Sequence, residues 1–308
     1  MKRSLILAVI TVLTISVYSA SERWCGDFTA GLNKAISEDR LILVDFYTDW
    51  CGWCDKLADD VFSTMKFHDY VADDFVLVKI NAEKYRKLTD HYGIRGYPTI
   101  LVLDSKGREL DRVVGYSAAD EYIERIDEAA YSIENFHNLK KIVLDTNPDN
   151  RHVHFKLGEK YFERGMLKKA EAHLVEATMI DDQYSESYIL LGEIAIKNGD
   201  IIKGKGYFKR ALSLHNKPEE IHYRHAMALF SQKEDAQAME KFSRFIEIAS
   251  DCDEDYTNAL ATAYFYRGVC AIRCGDIEAA GIFIEEFEKA FPGNKNLLRL
   301  KEYYEKNK

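Results

Sequence analysis

From Leu41 to Tyr47 the chain is apolar apart from one acid, Asp45, a pattern that predicts a strand buried on both faces. Asp49-Trp50-Cys51-Gly52-Trp53-Cys54 follows, and the residues after it read as helix. A second apolar run, Phe75 to Asn81, predicts another strand, and Ile100 to Leu103 a third. Ser105-Lys106-Gly107 marks a turn into a fourth strand, Glu109 to Val114. An amphipathic helix from about Ala118 to Tyr131 closes this part. Strands that alternate with helices and end in a hairpin predict an α/β fold with a mixed sheet. Ile133 to Asp145 reads as a further amphipathic helix, and the turn cluster Thr146 to Asn150 as a boundary.

Beyond His152 the pattern becomes helical and repetitive. Gly158, Gly192 and Ala226 are 34 residues apart, as are Ala170, Gly204 and Ala238, and Leu174, Phe208 and Phe242. Gly268, Ala280 and Ile284 each stand 42 residues after the third copy, the extra eight falling around Asp251 to Tyr256. Small residues let paired helices cross closely, and Gly165, Gly199 and Gly275 sit where helix ends favour glycine. In the third copy His225 takes a usually apolar position and Glu234-Asp235 stands for the turn glycine. Pro292 closes the fourth unit. This arrangement resembles the tetratricopeptide repeat, which implies stacked helix pairs whose curved face holds a peptide or protein segment.

Chemistry concentrates at Cys51 and Cys54. A Cys-x-x-Cys at a helix start sets its first sulfur near unpaired backbone N–H groups and the positive end of the helix dipole, both of which favour thiolate. Cys51 is therefore the expected nucleophile, and Cys54, one turn further in and less exposed, the residue that resolves a mixed disulfide. Burial of Asp45 raises the pH at which it gives up its proton. The competing reading of the motif is half a zinc site, but no second pair has matching spacing. Asp49 and Asp55 flank the motif and oppose the thiolate, which points to a reducing couple used for disulfide reduction or isomerisation.

Over about a hundred residues the first part resembles thioredoxin. The resemblance is carried by Trp50-Cys51-Gly52-Trp53-Cys54, by an acid six residues before the first cysteine, by Lys79-Ile80-Asn81, and by Tyr92-Gly93-Ile94-Arg95-Gly96-Tyr97-Pro98-Thr99. Phe62-Ser63 and His68 to Val71 are similar to the periplasmic domain of transmembrane thiol–disulfide interchange reductases. Trp53 departs from the proline common between the cysteines of thioredoxin, and Asp55 from a frequent lysine. The resemblance implies that Asp45 serves Cys54 through water with Lys79 as its ion-pair partner. It also implies a cis bond before Pro98, which places the Tyr97 backbone beside the sulfurs. Trp50, Gly52, Trp53, Tyr97 and Pro98 form the expected substrate-contact set, with the two tryptophans as an apolar rim. The expected fold is an α/β thioredoxin-like domain, a mixed sheet flanked by helices, followed by an all-α tetratricopeptide-type solenoid.

Lys2 and Arg3, an apolar run from Leu5 to Val17 and the small residues Ser19 and Ala20 form the three-part pattern of a secretory signal peptide. The run is shorter than the ~20 residues that cross a bilayer, so cleavage and a periplasmic or secreted location are expected. The divisions are then a signal peptide at 1–20, a thioredoxin-like domain at 21–132, a connecting helix and turn at 133–150, and helical repeats at 151–308. A net charge of -9 excludes nucleic acid as a main partner. His152, His154, His222 and His225 lack an acid or cysteine at ligand spacing, so no metal is expected, and no cofactor beyond the Cys51–Cys54 pair. Cys270 and Cys274, four apart on one helix, are poorly set to bridge and read as buried thiols; Cys25 and Cys252 are free or paired with each other. The expected activity is thiol–disulfide exchange on exported client proteins, with electrons from a membrane thiol–disulfide reductase and the repeats recruiting the client. The alternative is a helical-repeat adaptor or chaperone-like binding protein with incidental redox activity.

Overall fold

A computed structural model describes residues 24–145, 148–214, 217–251 and 256–308. The signal-peptide segment and Cys252 lie outside the described residues. The chain divides into two compact units, one ending at His137 and the other starting at Asn138.

The first unit holds strands β1 (Trp24–Cys25), β2 (Leu41–Tyr47), β3 (Phe75–Asn81), β4 (Thr99–Leu103) and β5 (Glu109–Val114) in the order β1-β3-β2-β4-β5. β3 runs parallel to β1 and β2, whereas β4 is antiparallel to both β2 and β5. The sheet is thus mixed, and β2 is the strand at which its parallel and antiparallel halves meet. Helices α1 (Phe28–Glu38), α2 (Gly52–Leu57), α3 (Met65–Val71) and α4 (Arg86–His91) are threaded between the strands, α5 (Ala119–Tyr131) follows β5, and α2 widens into a π-helical turn at Ala58–Phe62.

Alternation along β2 sorts its side chains between two apolar layers. Ile42, Val44 and Phe46 join Val78, Ile80, Leu101 and Ala35 of α1 on one face. Leu43 joins Leu77, Ile100, Phe62 and Tyr122 of α5 on the other. Asp45 shares the pleat of Leu43 and therefore faces the second layer. Strand β1 and helix α1 were not anticipated from the sequence. Asp27 caps α1, its carboxylate accepting from the Ala30 N–H at 2.6 Å.

α6 (Phe136–Asp145) follows, and the second unit continues with antiparallel pairs: α7 (Arg151–Glu163) with α8 (Leu167–Ile180), α9 (Ser185–Lys197) with α10 (Ile201–Leu214), α11 (Pro218–Ser231) with α12 (Asp235–Ala249), and α13 (Thr257–Arg273) with α14 (Ile277–Ala290). This is a helical-repeat solenoid of the tetratricopeptide type. Ala170, Leu174, Phe208, Ala238, Phe242 and Ala280 are fully buried. A Cβ on Gly158 would come 2.7 Å from Leu174, and one on Gly192 2.8 Å from Phe208, which is why the crossing points demand small residues.

Each pair turns through a left-handed residue: Gly165, Gly199 and Gly275 have φ of 66°, 87° and 77°. In the third pair the aligned residue is Lys233, at φ 62°, rather than Glu234-Asp235. Glu234 instead precedes α12, and its N–H donates to the Leu229 carbonyl. A further helix, α15 (Lys295–Asn307), seals the last pair, with Leu300 packed onto Gly268. Cys270 is buried as expected, its thiol pushed up to about 12 by burial and by Asp235. Cys274 is exposed: it caps the end of α13, beyond the turn that the core covers.

Candidate active site

The site is assembled at the C-terminal end of β2. Cys51 caps α2, and its sulfur accepts from the Cys54 N–H at 3.1 Å. The two cysteines form a disulfide. They are 6% and 7% exposed, so Cys54 is not the more sheltered of the pair in the oxidised form; each sulfur covers the other. Gly52 opens α2 and is exposed, with open space where a Cβ would stand. Trp50 and Trp53 are 69% and 59% exposed. Two such large apolar surfaces flanking one dithiol give it an unusual apolar rim.

The Tyr97–Pro98 peptide is cis. Tyr97, Pro98, Trp53, Gly115 and Tyr116 line a cavity of about 230 Å³. Trp50 meets Tyr97 edge-on at 6.0 Å, and Trp53 lies 5.4 Å from Tyr116. The proline loop and the start of α2 therefore share one groove. Gly115 and Tyr116 were missed by sequence reasoning. The only available signal was a glycine-tyrosine pair directly after β5, where Gly115 takes φ 82°. Tyr116 is fixed by a hydroxyl donated to Asp60 at 2.7 Å, and Lys56 lies 5.0 Å over its ring.

Within β2, Asp45 is 2% exposed. Its register neighbours are Lys79 on β3 and Ile100 on β4. Lys79 Nζ stands 3.7 Å from Asp45 Oδ2 and 4.9 Å over the Tyr47 ring. Asp45 Oδ1 has no hydrogen-bond partner. Burial pushes the carboxyl up to about 6, against the pull of Lys79. Desolvation outweighs attraction here because the Lys79 ammonium, about a third exposed, is shared with water. The buried Tyr122 hydroxyl on the same sheet face is also unpartnered, and burial together with the Asp45 charge raises its pKa. Asp49 accepts from Asn81 Nδ2 at 2.9 Å, and Asp55 lies in the first turn of α2. Among the described residues no group of three or more His, Cys, Asp or Glu is placed to hold a metal ion.

A Cys-x-x-Cys disulfide at a helix start, a cis-proline loop on the same groove and a buried acid on the preceding strand define a thioredoxin-like domain with the disulfide of a thiol–disulfide oxidoreductase. The family model described as a thioredoxin-like domain matches residues 28–130. Thioredoxin-1 of Drosophila yakuba is 35% identical over 103 residues, covering 88% of that protein and 33% of this chain. The chain belongs to the thioredoxin family. It is also 26% identical over 157 residues to the chloroplastic thioredoxin-like protein HCF164 of Arabidopsis thaliana, covering 48% of this chain and 59% of that relative's length. Among solved structures, the TPR protein YrrB aligns with 59% of this chain and 86% of its own at 17% identity and a TM-score of 0.42.

Proposed function

We propose that the protein is an exported thiol–disulfide oxidoreductase that reduces or isomerises disulfides of client proteins. The Cys51 thiolate attacks a client disulfide, forming a mixed disulfide and releasing one client thiolate. Cys54 then passes its proton toward Asp45, attacks the Cys51 sulfur and releases the second client thiolate, leaving the Cys51–Cys54 disulfide. Two electrons from a membrane thiol–disulfide reductase restore the dithiol. The observation that carries this reading is a Cys51–Cys54 disulfide at the start of α2 beside an open groove with the cis-proline loop, preceded by a strand that carries a buried acid titrating near pH 6. Lys79 holds the Asp45 charge once it forms. Trp50, Gly52, Trp53, Tyr97 and Pro98 receive an extended client segment. The acids flanking the motif, Asp49 and Asp55, favour a reducing couple. Export is supported by the basic, apolar and small-residue order of residues 1–20.

Partner recruitment falls to the repeats, where first helices of neighbouring pairs form a cavity of about 510 Å³ lined by Phe162, Tyr223, Arg224 and Met227 among others. That same cavity favours the second reading, an adaptor with incidental redox activity. Turnover of a disulfide substrate by wild type and Cys51→Ser separates the two. Loss of turnover in Cys51→Ser, with covalent capture of a client by Cys54→Ser, is expected; equal turnover would remove the enzyme reading.

A further inference from the structure

The second unit carries a basic cavity that the dithiol chemistry does not use. It measures about 280 Å³ and is lined by Lys205, Phe208, Lys209 and Leu212 of α10, His225 of α11 and Lys241 of α12, among others. It is thus formed mainly on second helices, with His225 of a first helix at its base, unlike the cavity at Tyr223 and Arg224. The chain as a whole is acidic, at -9, yet this cavity gathers three lysines against one acid, Glu240, which pairs with Lys241 at 2.6 Å.

The repeats supply an internal control. At the positions equivalent to Lys205, Lys209 and Lys241 the preceding repeat boundary has Glu171, Val175 and Tyr207. The following boundary has Met239, Ser243 and Phe283. At these three positions positive charge is therefore confined to the middle boundary, so the repeat framework does not require it there. The residue at the base departs as well. Its counterparts are Leu191, buried in the core, and Arg267, which pairs with Glu286 and lies 4.0 Å over Phe283. His225 is 4% exposed, stacks on Phe208 at 4.2 Å, and leaves its Nε2 without a hydrogen-bond partner. Burial, with Lys241, His222 and Lys205, pushes it down to about 3, so the imidazole is neutral and the charge of the cavity belongs to the lysines.

We infer that this cavity binds an acidic peptide segment of a partner protein, with carboxylates at the Lys205–Lys209 pair and at Lys241 and an apolar side chain over Phe208 and Leu212. Phosphate sites use arginine forks or the N–H groups of a helix start. Here the cations are lysines within the bodies of α10 and α12, separate point charges on two helices. Spaced charges over an apolar floor suit a chain carrying spaced carboxylates. The inference does not depend on Cys51 or Cys54.

The test uses the full chain and a fluorescein-labelled acetyl-Glu-Glu-Leu-Glu-Glu-amide, followed by anisotropy at low and physiological salt. Lys205→Glu/Lys209→Glu should weaken binding by roughly tenfold or more, since two attractive exposed contacts become repulsive. Lys168→Glu/Lys289→Glu, an equal charge change elsewhere, should leave it unaltered. Lys205→Gln/Lys209→Gln gives an intermediate loss and guards against misfolding of the reversal variant. The His225 imidazole, followed by NMR, should titrate higher with the peptide bound, because its lysine neighbours are then neutralised, and not with the Gln-Gln-Leu-Gln-Gln analogue. Equal affinity of wild type and Lys205→Glu/Lys209→Glu, absence of binding, or displacement by inorganic phosphate at equal concentration would each overturn the inference. Disulfide reduction, assayed in parallel, should be unchanged in all lysine variants, so failure here and failure of the redox reading are separable.

Discussion

Replacing Asp45 by asparagine should stabilise the first unit while slowing its chemistry. The folded carboxyl titrates at about 6 against an ordinary 3.8. At ~1.36 kcal/mol per pH unit that interval corresponds to about 3 kcal/mol. The sign follows from proton binding. Between those two values the folded state holds a proton that the unfolded chain has lost, so stability falls as pH rises through the window. Above about pH 6 the full penalty is present, and below about 3.8 it is absent. Asparagine removes the buried charge but keeps the shape. Lys79 remains about a third exposed beside Tyr47, so its charge is not stranded. Asp45→Asn should therefore gain about 2–3 kcal/mol at pH 8 and almost nothing at pH 3.5. All three tryptophans, Trp24, Trp50 and Trp53, belong to the first unit, so urea unfolding followed by tryptophan fluorescence reads that unit alone. The midpoint should rise by roughly 1–2 M at pH 8. Over the same range disulfide turnover should fall, and its dependence on pH near 6 should flatten. A gain of equal size at both pH values, or a loss at pH 8, would refute the reasoning.

Three further outcomes concern the repeats. Gly204→Ala sets a Cβ 2.4 Å from Ile196 and 3.0 Å from the Gly192 carbonyl, and should cost about 1–3 kcal/mol in thermal or urea unfolding. Gly206→Ala, two residues on in α10 with open space at its Cβ, should instead gain about 0.5–1 kcal/mol. Lys233→Gly relieves a left-handed non-glycine residue and should raise stability by up to about 1 kcal/mol, read as an upward shift in the unfolding midpoint of the second unit by circular dichroism.

The elements legible in the sequence were those with strong periodicity. β2 and β3 are continuous apolar runs, and the 34-residue spacing fixed which residues meet at the helix crossings. β1 was hidden because two residues, Trp24 and Cys25, have no period; their strand character comes only from pairing with Leu77 and Val78. The shift at the third turn has a similar cause. Glu234-Asp235 drew attention as polar residues, but the left-handed conformation is set by the spacing of the repeat and falls on Lys233. The dithiol was legible because Cys-x-x-Cys is a local pattern. The groove beside it was not, since Tyr116 reaches Trp53 only through the return of β5 across the sheet.

The position of Asp45 fits the chemical role proposed for it. β2 is flanked by β3 and β4 and covered on both faces, so an acid at its centre cannot turn to water. No protein group donates to Asp45 Oδ1, and a lysine stands 3.7 Å from Oδ2. The Tyr122 hydroxyl on the same face is unpartnered too, within a layer otherwise built from Leu43, Ile100, Phe62 and their apolar neighbours. A leucine at position 45 would extend that layer and remove a penalty of about 3 kcal/mol. What leucine could not do is accept and return a proton near neutral pH. In the proposed mechanism the displaced titration is the useful property: burial holds the carboxyl where its charged and neutral forms are close in free energy near pH 6, as a group that exchanges a proton in each cycle requires.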